Sequence, residues 1–186
     1  MNKVENFKKE LSLIVDPVIK SWVEKTLEIA PERFWKIPAS STGKYHPQCT
    51  NKEGGLIIHV KRVVYLADRL TFAWNIKEQN RDIVIAACIL HDISKTGKDS
   101  GAYIDYVNHP INAGIEFKKA VSGTGGVVDL VENCIKYHMG LWTPDSIKKP
   151  LNKYTSLELV TYTSDYMAST KDLVTPVDGE YVVEDK

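Results

Sequence analysis

Apolar residues recur at helical spacing over most of the chain. Residues 56–74, LIIHVKRVVYLADRLTFAW, put Leu56, Val60, Val63, Val64, Ala67 and Leu70 on one face, which predicts an amphipathic helix. Residues 81–92, RDIVIAACILHD, are apolar or small from Ile83 to Leu90, and such an unbroken run suits a helix buried on every side. Its β-branched residues also permit a strand, but its length without a turn signal favours helix. Helical spacing continues in 109–121, 125–140 and 156–170, and earlier in 3–15 and 17–30, where Pro17 after Asp16 suits a helix start. Two stretches break the pattern. Residues 34–55 carry Pro38, Gly43, Pro47, Gly54 and Gly55, a long loop that Phe34, Trp35 and Tyr45 mark as ordered. Residues 95–108, rich in Gly and Tyr, form a second loop. No repeat or linker interrupts the chain. One all-α domain is expected.

Composition narrows the picture without changing it. The chain has 186 residues, 43% hydrophobic and 26% charged, enough for one domain with a sizeable core. Lys plus Arg and Asp plus Glu both number 24, so there is no global charge to steer nucleic acid or a membrane. Cys49, Cys88 and Cys134 are widely spaced and form no CxxC pair, so reduced thiols and a cytoplasmic location are expected. The first residues show neither a signal peptide nor a membrane span.

The chemistry gathers in few residues. Of the five histidines, His59 lies within the first amphipathic helix, and His91 precedes Asp92 at the end of the buried one. His109 opens a helix in NHPINAG, His138 closes one in KYHMG, and Asp165 interrupts the last helix in YTSDYMAS. Each has an ordinary explanation when taken singly. A buried His59 could be a hydrogen-bonded core residue. His109 could simply start a helix beside Pro110, and His138 could sit on a helix dipole. Together they form the donor set of borderline and hard divalent metals such as Zn, Fe, Mn, Ni or Mg. Six donors exceed one tetrahedral site and suit two adjacent ions, with Asp92 bridging and His91 serving one.

The ordered set, with GGLxxH before it and HDISK within it, resembles the HD-domain superfamily of metal-dependent phosphohydrolases. KYH at 44–46, GGLIIH at 54–59, HPINAG and YHMG resemble its six-ligand, two-metal branch. The resemblance covers residues 34–170, leaving 1–33 as N-terminal helices packed on the domain and 171–186 as a loose acidic tail. It implies a compact helical bundle with metal at its centre. His59, His91, Asp92 and Asp165 carry over as core ligands, and His109 and His138 as ligands of a second ion.

The implied activity is hydrolysis of a phosphoester in a nucleotide, cyclic nucleotide or nucleic-acid end, through a hydroxide bridging two divalent metal ions. Asp92 and Lys95 would be catalytic. Lys95 stands at i+4 from His91, so both fit one helical face, with the lysine holding a phosphate or the attacking water. Lys44 and His46 would contact substrate from the preceding loop. The expected partner is a small phosphorylated compound, a nucleotide first, with nucleic acid left open and no membrane. The oligomeric state is not readable. No P-loop, GxGxxG or GxSxG motif offers a competing chemistry. A diiron oxygenase cleaving a C–C or C–P bond shares the ligand set and is the alternative.

Overall fold

The computed structural model describes residues 3–40, 42–95, 103–121 and 123–181, with residues 103–106 described as backbone only. Among these, α-helices predominate. They are α1 (Lys8–Leu11), α2 (Pro17–Glu28), α3 (Glu32–Lys36), α4 (Gly55–Ala73), α5 (Glu78–Leu90), α6 (Tyr103–Val121), α7 (Gly126–Tyr137) and α8 (Ser156–Ala168). The expected all-α fold is present, and the central helix is the one the apolar run marked. Every residue from Asp82 to Lys95 is buried. α5 packs against α2, α4, α7 and α8, so from Asp82 onward it has no solvated face to keep polar.

Local chemistry sets the ends of these elements. Asp16 accepts the amides of Val18 at 2.8 Å and Ile19 at 3.3 Å, and Pro17 occupies the first turn, where its missing N–H costs nothing. Thr155 and Glu158 form a reciprocal capping box at the start of α8. Buried Asp82 accepts the amides of Val15 and Asp16 at 2.9 and 2.7 Å, pinning the approach to α2 onto α5. Phe7, Phe34 and Trp35 cluster, with the Phe34 and Trp35 rings 5.0 Å apart.

The structure departs from the sequence pattern in four places. Residues 3–7 wind as a 3₁₀ turn before a single short α1, so the helix expected over 3–15 is broken. The loop expected from residue 34 begins inside α3 and contains a 3₁₀ turn at Gln48–Thr50, and Tyr45 is 66% exposed rather than packed. α6 begins at Tyr103, so His109 lies inside it and Pro110 is an interior proline that forgoes one backbone hydrogen bond. Residues 96–102 of the expected second loop lie outside the described residues.

The fourth departure is at the C-terminal end. Strands β1 (Pro176–Val177) and β2 (Glu180–Tyr181) form a small antiparallel hairpin. Its Asp178 binds Lys61 of α4 at 2.7 Å, and its carbonyl takes a bond from Lys9. Fully buried Arg62 donates to the carbonyls of Ala168 at 3.2 Å and Leu173 at 2.7 Å, which ties the end of α8 to α4. These bonds tie Leu173 and Asp178 to the helices, and residues 182–186 of the expected tail lie outside the described residues. Among the described residues, no helix is long and apolar enough to cross a membrane.

Candidate metal centre

Five segments meet at the C-terminal end of α5. Gly54, with φ of +73°, turns the chain into α4, and a Cβ on Gly55 would stand 2.1 Å from the Thr50 carbonyl oxygen. The paired glycines therefore seat the helix start directly on the preceding loop. One turn later His59 points into the core. His91 follows the last residue of α5, and Asp92 and Lys95 lie in the turn beyond it. His109 comes from α6, His138 from the end of α7, and Asp165 from the last turn of α8.

The side chains converge in two groups about Asp92. Its Oδ2 lies 3.9 Å from His59 Nε2 and 3.5 Å from His91 Nε2. Asp165 Oδ1 completes that group, 3.0 Å from His59 Nε2 and 3.6 Å from His91 Nε2. The other oxygen, Oδ1, lies 2.9 Å from His109 Nε2 and 3.7 Å from His138 Nε2. Those two rings approach each other at 3.2 Å. All four histidines and Asp92 are at most 2% exposed, and the Asp165 side chain is 19% exposed. The structure brings all six sequence-marked donors together.

Proton placement shows what this cluster lacks. His91 Nδ1 lies 2.8 Å from the Cys88 carbonyl, and His138 Nδ1 lies 2.7 Å from the Ile135 carbonyl. A carbonyl only accepts, so each ring nitrogen there must carry the proton. In the neutral ring Nε2 then presents a lone pair inward, towards carboxylate oxygens that are also electron-rich. His91 Nε2 is buried, 3.5 Å from the nearest carboxylate oxygen, with no hydrogen bond of ordinary geometry. Lone pairs facing one another in a dry site call for a cation among them. Ligand atoms about 2.1 Å from one ion stand about 3.0–3.4 Å apart, and the separations here, 2.9 to 3.9 Å, lie on both sides of that range. The donor set fits divalent metal ions.

The electrostatics agree with this reading. Burial holds the His138 imidazole down to about 3, with the charge of His91 adding to it, so that ring is a free base at neutral pH. Burial also lowers His59. For His91, burial is the largest single influence and pulls downward, but the charge and hydrogen bond of Asp92 together with Asp165 and the Cys88 carbonyl outweigh it, and the ring is raised above 6.5. Burial would raise Asp92, yet Lys95 and His91 hold it well below the usual carboxylate range. Asp165 is likewise held low, mainly by its bond to His59 against the cost of burial.

Lys95 differs from its sequence reading. The helix ends at Leu90, so Lys95 does not share a helical face with His91. Its Nζ instead donates to Asp92 Oδ2 at 2.7 Å, and the residue is 8% exposed. It also lines a cavity of about 730 Å³ that opens onto the centre. His46 lines the same cavity, with Nε2 3.3 Å from Ser169 Oγ and its ring 5.4 Å from that of His59. Burial first, then His59, holds His46 down to about 3. Lys44 is exposed at the cavity mouth, its ammonium 5.0 Å from the Tyr45 ring centre. Sequence reasoning missed Ser169, Lys171 and Asp172, which line this cavity. Ser169 lies one helical turn after Asp165, and that spacing was the available signal.

A model of the HD domain family matches residues 56–169, from just after the paired glycines to the end of α8. The chain belongs to the HD domain family. No curated protein and no solved structure matches it. HD domains are in general metal-dependent hydrolases, and the match spans the five segments that carry the donors. Two overlapping groups in this chain, His59–His91–Asp165 and His91–Asp92–His138, have donor atoms close enough to hold an ion.

Proposed function

We propose that this HD domain is a phosphohydrolase of the six-ligand type, acting on a phosphoester in a nucleotide, cyclic nucleotide or nucleic-acid end. The observation that carries this reading is Asp92, each of whose oxygens faces a different pair of histidines. A single carboxylate so placed suits two neighbouring ions. His59, His91 and Asp165 would hold one together with Asp92, and His109 and His138 would hold the other with the same carboxylate. Divalent ions held there acidify water and neutralise charge on a phosphoryl group, which suits hydrolysis without a protein nucleophile.

The protein's own groups do the rest. The Cys88 and Ile135 carbonyls keep protons on Nδ1 of His91 and His138, so both rings present Nε2 to the centre. Lys95 reaches the cavity floor, where its ammonium can leave Asp92 for a phosphoryl oxygen and stabilise charge that develops there. His46, neutral at pH 7, borders the same floor and can exchange its bond to Ser169 for one to substrate.

The test is elemental analysis of the purified protein beside assays on p-nitrophenyl phosphate, bis(p-nitrophenyl) phosphate and a nucleotide panel. Hydrolysis should require added Mn or another divalent ion and stop with chelator. Oxygen consumption by iron-loaded protein, with no hydrolysis across the panel, would instead assign the chain to the HD-type oxygenases.

A further inference from the structure

One wall of the cavity is not explained by metal binding. Trp142 and Tyr166 are 58% and 51% exposed, yet their rings stack, with centres 6.0 Å apart and planes 12° from parallel. Neither belongs to the core. Each is tied in sequence to a donor: Tyr166 follows Asp165, and Trp142 stands four residues after His138.

The link from His138 to Trp142 is stiff. It runs through the 3₁₀ turn Gly140–Trp142, whose glycine has φ of +56°. A Cβ on Gly140 would stand 2.2 Å from the Tyr162 ring, so this turn is pressed flat against α8. Tyr162 in turn lies 6.2 Å from Tyr166. The stacked pair is therefore held at a set distance from the donors of both α7 and α8.

Two aromatic rings left stacked in water at the mouth of a charged cavity suit a ligand with its own flat ring. The polar lining points the same way. Lys44, Lys95 and Lys171 supply positive charge. Among the described lining residues the carboxylates are Asp165 and Asp172, and there is no Asn or Gln. That leaves few of the groups that bind sugar hydroxyls. With zero net charge and one cavity of about 730 Å³, the site suits a single unit rather than a tracked strand.

We infer that Trp142 and Tyr166 form a base-binding wall, and that the substrate is a single nucleotide whose base stacks on it while its phosphate reaches Lys95. This rests on the phosphoester reading of the centre.

The test measures binding first. Full-length protein, kept from turnover by chelator, is titrated calorimetrically with adenosine monophosphate and with ribose 5-phosphate. Stacking of one base on an aromatic ring is worth about 5- to 150-fold in affinity. The nucleotide should therefore bind at least about five-fold more tightly, and Trp142→Ala should erase that preference while leaving ribose 5-phosphate binding unchanged. Trp142→Phe should restore most of it, which separates stacking from damage to the fold. Equal affinity for the two probes, or equal loss of both in Trp142→Ala, overturns the base wall. Hydrolysis is then assayed separately with Mn on p-nitrophenyl phosphate, bis(p-nitrophenyl) phosphate and the nucleotide panel. A base preference without any hydrolysis refutes the phosphoester reading alone, and hydrolysis without a base preference refutes the wall alone.

Discussion

Helix α5 and the turn that follows carry two buried aspartates, Asp82 and Asp92, 2% and 1% exposed. Burial does not distinguish them; their partners do. Asp82 receives two backbone amides on Oδ2 and has the Arg81 guanidinium 3.8 Å from Oδ1, donors that between them satisfy its charge. Asp92 faces four imidazole nitrogens and one ammonium. One of those imidazoles, on His138, is a free base at neutral pH and directs its lone pair at it. The first carboxylate holds the chain together. The second is part of a charge pattern that only a cation completes. A buried acid thus becomes a candidate ligand through what faces it, not through depth.

The contrast breaks most sharply at Asp92 itself. Asp92→Ala should abolish activity and empty the centre of metal, measured by elemental analysis and rate on the same preparation, because one side chain serves both groups of donors. Retention of the full metal content would show that Asp92 is no more a ligand than Asp82.

Lys95→Ala should come next in size. It should keep the metal and lose about 10²–10³ in rate, the usual consequence of removing one electrostatic donor near developing charge. If the rate loss tracks a loss of metal, Lys95 only steadies Asp92, through the 2.7 Å bond.

Asp82→Ala should show the reverse profile. Two half-buried amides lose a charged acceptor, costing about 2 kcal/mol of stability in denaturant unfolding, while metal content per folded molecule stays at the wild-type value. Loss of metal without loss of stability would erase the distinction between the two acids.

The smallest effect is on pH. In chelator, burial holds His46 and His138 down to about 3 from an ordinary 6.5, so the unfolded chain takes up protons over that range and the folded one does not. Stability should be full above 6.5 and fall as the pH drops towards 3. Asp92 and Asp165, held low, add to the loss below 3.8. His91, held high, works in the opposite direction. Thermal midpoints at stepped pH, with and without bound metal, read the sum. A midpoint that rises on acidification would place His91 in control.

What could be read from sequence was set by local spacing. The period of α4 and the unbroken apolar run of α5 announced their faces, because burial on one side or on all sides leaves those patterns. The six donors stood out as polar residues within such runs or at their ends. What escaped depends on tertiary context. Pro110 argued for a helix start, but packing against α2 and α7 carries α6 through it. Lys95 looked like a partner of His91 on a continuing helix, but the helix stops at Leu90, so its reach is to Asp92. The chain after residue 170 has no apolar period at all. Its Leu173 and Asp178 are held by Arg62, Lys61 and Lys9, which lie more than a hundred residues away.

That same separation has a bearing on how the centre is born. His59 and Asp165 are 106 residues apart in sequence, and Arg62 reaches across 106 to Ala168. On a chain made from its N-terminus, His59 is in place long before its partner exists. The histidines of α4 and α5 must therefore wait, exposed to whatever ions the surroundings offer, until α8 arrives to close the ring. Long-range closure is slow, and its entropic cost comes before the contacts that reward it. Refolding in the presence of metal should accordingly show two clocks, a fast one for helix formation and a slow one for the ion's capture.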